Sequence, residues 1–332
     1  MWLKIQQYIH LNGNQVSNTW FFDTGKPWEK VWISAGVHGN EPAWVEALNH
    51  FKLQVEKGTI PIYKWKIILI LKWNELALKK NVRFVEDDLN RVVHWVPSKV
   101  IKNNYEQTRG KEIKELIDTQ KPSKWLDLHT VSSPRAKPYL FSWIEWYNEC
   151  AQSLGIQNIA VDWANLSKNN AGKPIYQWLS DYINFKWGYW FTFEAWNHNS
   201  PEWAVNSYQS IINFLVTLGM TKWRKVYQNM NQWDTKEFSF SDTNWVQSIW
   251  DEEQSNHVHM KYKHTFTGWF EYEKWIPYSF TQYKKWDTIW YDILENGDRI
   301  EVKAKIDWYI VLPKDPSICE IWKEVFFYWK SI

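Results

Sequence analysis

The stretch ISAGVHGNEPAWVEAL, residues 33–48, places His38 and Glu41 three apart, just past a short apolar run ending in Gly36. An HxxE pair alone is weak evidence of a metal site, because a chain with nine His produces such pairs by chance. Position strengthens it. The pair stands directly beyond the C-terminal end of a predicted strand, where open α/β sheets place their ligands. His129, in WLDLHT, ends a second predicted strand in the same manner, and Glu194, in FTFEA, ends a third. A lone His at such a place is usually a satisfied core or rim residue, but four groups on three strand ends make a stronger case. Two His and one Glu are a ligand set of hydrolytic zinc sites, which keep a fourth position open. A further carboxylate nearby supplies a base.

The elements that must position these groups read as alternating strands and helices. Residues 31–36 form a buried strand, and Pro42 to Gly58 a helix with Pro in its first turn and Gly at its end. A strand at 66–72 follows, then a polar helix around 105–119 and a strand at 124–128. Helices near 145–154 and 174–185, a strand at 189–193 and an amphipathic helix at 202–218 complete the series. This alternation predicts a mostly parallel mixed sheet with helices on both faces. Beyond about residue 235 short alternating segments such as HTFTGWFEYE, DTIWYDI and DRIEVKAKI take over. They predict a small C-terminal all-β domain, giving a catalytic α/β domain at 1–222 and a β domain at 236–332.

Between HGNE and DLHT lies NVRFVEDDLNR, which holds Arg83, Asn90 and Arg91 and so two of the six arginines of the chain. From charge alone this is as readily a solvated loop as a binding loop. The set HGNE, RFVEDDLNR, DLHT and FTFEA, in this order and at these intervals, resembles the succinylglutamate desuccinylase and aspartoacylase family, relatives of the zinc carboxypeptidases. The C-terminal YKKWDTIWYD and IEVKAKIDWYIVLP are similar to that family's terminal β domain. The resemblance implies that His38, Glu41 and His129 bind one Zn²⁺ per chain and that Glu194 is the general base. It also implies that Arg83 faces the scissile carbonyl and that Asn90 and Arg91 hold a substrate carboxylate. Zinc activates water near neutral pH, and an Arg fork can grip both carboxylate oxygens. Two departures stand out. No arginine ahead of Glu194 matches the contact for a second substrate carboxylate, leaving Arg135 and Lys173 as candidates, and Trp196 stands where the family usually has Gly. His198 reads as a loop or supporting residue rather than a ligand.

The resulting expectation is a zinc amidohydrolase acting on a small N-acyl amino acid, with a carboxypeptidase on short peptides as the alternative within the same chemistry. The β domain would cap the site and favour small substrates. A Trp-rich module stacking sugars or bases is a third possibility, but the Trp residues are scattered over strands, turns and helices alike. A net charge of +2 provides no field for nucleic acid or anionic lipid. MWLKIQQYIH lacks the apolar core of a signal peptide, and the longest aliphatic run, IILIL at 67–71, is too short to span a bilayer. These features lead us to expect a cytoplasmic protein. Cys150 and Cys319 stand far apart and suggest neither a disulfide framework nor a thiolate metal site.

The chain holds 28 Trp and only 12 Gly, whereas average usage would give about 23 Gly. Lys outnumbers Arg heavily, as in A+T-rich coding. Trp28, Trp44, Trp286 and Trp308 stand where the resembled family commonly shows Gly, several of them at turn sites. We read many of these Trp as glycine in the native protein, encoded by UGA.

Overall fold

The computed structural model describes residues 4–6, 9–11, 14–16, 18–26, 29–92, 104–132, 138–142, 158–161, 178–186, 189–198, 202–222, 256–265, 269–272, 281–293, 296–304, 307–311 and 324–331. In chain order the first strands are β1 (Lys4–Gln6), β2 (Ile9–Leu11), β3 (Asn14–Val16), β4 (Thr19–Asp23), β5 (Lys30–Ala35) and β6 (Lys66–Ile70). Then come β7 (Lys124–Val131), β8 (Tyr139–Ser142), β9 (Asn158–Val161), β10 (Tyr189–Asn197), β11 (Asn256–Thr265) and β12 (Trp269–Tyr272). The last are β13 (Thr281–Tyr283), β14 (Thr288–Ile293), β15 (Arg299–Lys303), β16 (Trp308–Val311) and β17 (Glu324–Ser331). The early helices are α1 (Ala43–Glu56), α2 (Glu75–Lys80), the single turn α3 (Leu89–Val92) and α4 (Tyr105–Gln120), with later helices at Leu179–Lys186 and Glu202–Thr217.

The main sheet has the order β1-β4-β6-β5-β7-β10-β8-β9-β11-β17-β16-β13. Its centre, β6-β5-β7-β10, is parallel. Successive side chains of these strands point to opposite faces, and two apolar clusters result. Val31, Ile33, Leu69, Leu126, Leu128, Phe191 and Phe193 face one side, where they meet Leu48 and Phe51 of α1 and Ile211 and Phe214 of the helix Glu202–Thr217. Trp32, Ile68, Ile70, Trp125 and Trp190 face the other, against Ile113, Leu116 and Ile117 of α4 and Leu179 and Ile183 of the helix Leu179–Lys186. Both faces are covered, which is why the strands read as nearly continuous apolar runs rather than alternating ones.

The expected crossover elements are present at 30–35, 43–56, 66–70, 105–120, 124–131, 189–197 and 202–217. The helix expected near 145–154 lies outside the described residues. Beyond residue 255, β12, β14 and β15 form a separate antiparallel sheet over Phe270, Ile289, Trp290 and Ala304. β11 pairs in parallel with β9 and antiparallel with β17, so this segment also adds strands to the main sheet. The boundary expected near 222–236 lies mostly outside the described residues. No helix among the described residues is long and apolar enough to cross a membrane.

Tryptophan occupies places that suit it poorly. Trp286 has φ +77 and is 65% exposed, and Trp65 has φ +67; a left-handed conformation costs a residue with a bulky Cβ substituent but not glycine. Buried indoles ordinarily find a hydrogen-bond acceptor, yet Nε1 of Trp32, Trp44 and Trp73 is sealed from solvent with none. Trp44, by contrast, stands in no turn: it lies fully buried in α1, edge-on to Phe193 at 5.8 Å. Trp308 begins β16, and Trp28 lies outside the described residues.

Candidate metal centre

His38 and Glu41 sit on the loop between β5 and α1. Gly36 opens that loop at φ +72. Gly39 approaches α2 so closely that a Cβ there would stand 2.0 Å from the Ala77 carbonyl carbon. Backbone bonds hold the loop down: Trp73 N–H donates to Ala35 O (3.2 Å), Asn74 N–H to Gly36 O (2.8 Å) and Gly39 N–H to Arg83 O (3.2 Å). The HGNE turn therefore rests on the segments that follow β6, and any side chain at Gly39 would displace His38.

The other groups come from strand alternation. Trp125, Asp127 and His129 lie at alternate positions on β7, and Trp190, Thr192 and Glu194 at alternate positions on β10. Register pairs Glu194 with His129. The face that is packed with indoles deep in the sheet thus becomes, at the strand ends, a row of ionisable groups.

There His38 Nδ1 stands 2.8 Å from Glu41 Oε1, and His129 Nδ1 stands 3.3 Å from Glu41 Oε2. His38, Glu41 and His129 are all buried, and one ligand atom from each lies within 4.8 Å of the others. Neighbouring ligands around tetrahedral zinc, with bonds of about 2.0–2.1 Å, stand roughly 3.3 Å apart. The donor types and their spacing fit that ion. Each imidazole also turns its other nitrogen toward an aspartate, an arrangement common around metal-ligating His. His129 Nε2 meets Asp127 Oδ2 at 2.8 Å, and Asp127 Oδ1 accepts from the Ser34 hydroxyl at 2.5 Å. His38 Nε2 stands 3.4 Å from Asp88 Oδ1, close enough to feel its charge but without forming a hydrogen bond. Glu41 Oε2 accepts from Thr130 N–H at 3.1 Å.

Electrostatics divide these carboxylates into two kinds. Burial pushes Glu194 up to about 8, with Glu41 and Asp127 acting in the same direction and His129 and Arg83 against it. Its Oε2 is buried without a hydrogen-bond partner. Burial would raise Glu41 as well, but His38 and His129 together hold it well below the usual carboxylate range. Asp88 is likewise held low, since His38, Arg83 and Arg91 outweigh its desolvation. Burial disfavours a charged His129, yet Asp127 and Glu41 retain its proton and raise it well above an ordinary imidazole. The centre combines a carboxylate poised to take a proton with one that stays ionised, the separation expected of an acid–base group beside a ligand.

His38, Glu41, His129 and Glu194 are brought together as the sequence suggests. Arg83 lies within electrostatic reach of Glu194, half-exposed, with Nε and Nη2 both on Asp88 Oδ2 at 3.2 and 3.1 Å. Asn90 and Arg91 ride on α3. Asn90 Oδ1 accepts from Leu179 N–H at 2.9 Å, which leaves its amide hydrogens for other partners, and the Arg91 guanidinium lies 5.5 Å from the Trp178 ring centroid. Arg135 and Lys173 lie outside the described residues.

Three supporting acids escape a reading of the sequence. Asp127, two residues before His129, shares its strand face, so period-two spacing could have found it. Asp88 accepts from Asn90 N–H at 3.0 Å and anchors the DLNR turn. Glu106, fully buried at the start of α4, accepts from Val85 N–H at 2.7 Å and Asn74 Nδ2 at 3.3 Å, tying two site loops together. Nothing in its local sequence marks that role.

Residues 27–153 match the family model of the succinylglutamate desuccinylase/aspartoacylase catalytic domain. Among curated relatives, a succinylglutamate desuccinylase of Yersinia pestis is 36% identical over 75 residues, covering 21% of this chain and 22% of the relative. Another, from Pseudoalteromonas atlantica, is 31% identical over 111 residues, or 31% of each chain. The alignments thus span between about a fifth and a third of those relatives. A succinylglutamate desuccinylase/aspartoacylase structure from Rhodobacter sphaeroides superposes with TM-score 0.68 at 13% identity, covering 96% of this chain and 89% of that one. A succinylglutamate desuccinylase structure from Vibrio parahaemolyticus gives 0.65 at 15% identity, covering 99% and 91%. At these identities the superpositions speak for a shared fold.

Proposed function

We propose that the chain, whose residues 27–153 match the succinylglutamate desuccinylase/aspartoacylase catalytic domain, acts as enzymes of that kind do, hydrolysing the amide bond of a small N-acyl amino acid with one Zn²⁺ per chain, held by His38, Glu41 and His129. The observation that carries this reading is the convergence of those three buried side chains beside Glu194, in register on the adjacent strand. Zinc bound there would supply a Lewis acid that activates water and polarises the amide carbonyl.

The chain's own groups account for the remaining steps. Glu194, with its raised proton affinity, takes a proton from the attacking water and delivers it to the departing amine. Arg83 presents its free edge to the carbonyl oxygen, where negative charge develops, while Asp88 holds the opposite edge. Arg91 and the amide of Asn90 hold the substrate carboxylate, the guanidinium fork matching its two oxygens. The β region at 236–332 is read as a cap that limits the length of the substrate.

The test is a panel of N-acetyl, N-succinyl and other acylated amino acids set against dipeptides, with zinc-loaded protein. Release of the amine from an acylated amino acid is expected. Cleavage of the dipeptides alone would make the protein a carboxypeptidase, and turnover of neither would refute the reading.

A further inference from the structure

Pairing between β10 and β7 runs residue for residue up to Glu194 and His129, then slips. The next partners are Asn197 and Val131, so β10 carries one extra residue immediately after Glu194. A bulge of this kind leaves its extra residue unpaired and re-aims the side chain beside it, so the contacts on its far side bear on where that side chain stands.

His198 occupies that far side. Its backbone N–H donates to Val131 O at 3.0 Å. Its imidazole Nδ1 lies 2.6 Å from the Thr130 hydroxyl, and Nε2 lies 3.4 Å from Asn40 Nδ2. One neutral ring serves both contacts, with Nδ1–H donating to Thr130 Oγ1 and Nε2 accepting from the Asn40 amide. Both partners adjoin the metal centre. Asn40 precedes Glu41 in the chain, and Thr130 follows His129 and binds Glu41 through its N–H. The imidazole therefore joins the end of β10 to the end of β7 and to the HGNE loop, the three places from which the site residues project.

We infer that His198 is a positioning residue, which closes the β10 bulge onto Thr130 and Asn40 and so fixes where the Glu194 carboxylate stands relative to His38, Glu41 and His129. This inference rests on the proposed role of Glu194 as base. His198 is not a ligand, so its loss acts on turnover rather than on the metal. Displacing a reacting group by about 1 Å can cost on the order of 10²-fold in rate.

The experiment compares His198→Ala, His198→Asn, Thr130→Val and Thr130→Ser in the full chain. His198→Ala and Thr130→Val are each expected to lower kcat about 10- to 100-fold, with KM unchanged and zinc affinity, read by chelator competition, altered less than about threefold. The double variant should be no worse than His198→Ala, because the contact that Thr130→Val removes is already lost in His198→Ala. Asn at position 198 keeps a donor near the Nδ1 position and Ser at position 130 keeps the hydroxyl, so both should recover most of the turnover. Hydrogen exchange of the metal-free protein provides a readout independent of catalysis: amides of 194–198 should exchange faster in His198→Ala while the rest of β10 does not. Wild-type turnover in His198→Ala, zinc affinity falling in step with kcat, or unchanged exchange at 194–198 would each overturn the inference. If the wild type hydrolyses none of the panel, the proposed function fails, and the exchange measurement still decides the role of His198.

Discussion

Replacing Glu194 with Gln keeps the shape of a protonated carboxyl group and removes its titration. In the metal-free protein Glu194 holds its proton to about pH 8, against 4.5 for a free side chain. The folded state therefore binds more protons than the unfolded state between these values. Stability from this group is complete below 4.5 and is lost as pH rises toward 8. The full window corresponds to a ceiling of about 5 kcal/mol, at about 1.4 kcal/mol per pH unit. Glu194 is partly exposed and titrates beside Glu41 and His129, so a loss of roughly 1–3 kcal/mol is expected. The assay is denaturant unfolding of the wild type and Glu194→Gln, metal-free, from pH 5 to pH 9. The two should match near pH 5, with the variant increasingly the more stable toward pH 8. Added zinc should narrow the gap, because a nearby dication favours the carboxylate. With zinc, turnover of the variant should fall by about 10²- to 10⁴-fold. Parallel stability curves would show that Glu194 is not the perturbed group, and near-normal turnover would place the base elsewhere.

Asp127→Asn should weaken zinc binding about 10- to 100-fold by removing the charge behind His129; chelator competition measures this, and an unchanged affinity would remove Asp127 from the support of the site. Arg91→Lys should raise KM with little change in kcat, since an ammonium cannot reproduce the bidentate fork; an unchanged KM would take Arg91 out of the carboxylate site. Peptide mass spectrometry of the native protein should find glycine at many of the Trp positions, each lightening its peptide by a fixed mass, and intact Trp at 44, 286 and 308 would end that reading. The proposed metal ligands and base include no Trp, so they do not depend on its outcome.

The centre of the sheet was legible because β5, β6, β7 and β10 are apolar runs bounded by polar segments, and helices of ordinary length separate them. The candidate ligands were legible for the same reason: His38, Glu41, His129 and Glu194 follow the ends of such runs. The supporting acids were harder to find. Glu106 reaches Val85 and Asn74 from a different helix, and His38 meets Asp88 from a distant part of the chain, separations that no local spacing encodes. The bulge after Glu194 was invisible for another reason: the apolar pattern ends the strand at 193, and only the pairing with β7 reveals that it runs on to Asn197 with an extra residue. Likewise the pairing of β11 with β9 joins strands nearly a hundred residues apart, and the local alternation that marks a strand does not name its partner. Trp286 shows the opposite case. Its turn was legible from its neighbours although the residue itself argues against one, and the backbone adopts the glycine-like conformation nonetheless.

The central claim is that His38, Glu41 and His129 form a zinc site on which hydrolysis depends. Metal analysis of the purified protein, repeated after chelation and after stoichiometric zinc is returned, tests it most directly. One Zn²⁺ per chain is expected, lost on chelation together with amide hydrolysis, restored with it, and absent from His129→Ala. A protein that hydrolyses its substrate fully after chelation, or that binds zinc equally well without His129, would contradict the account.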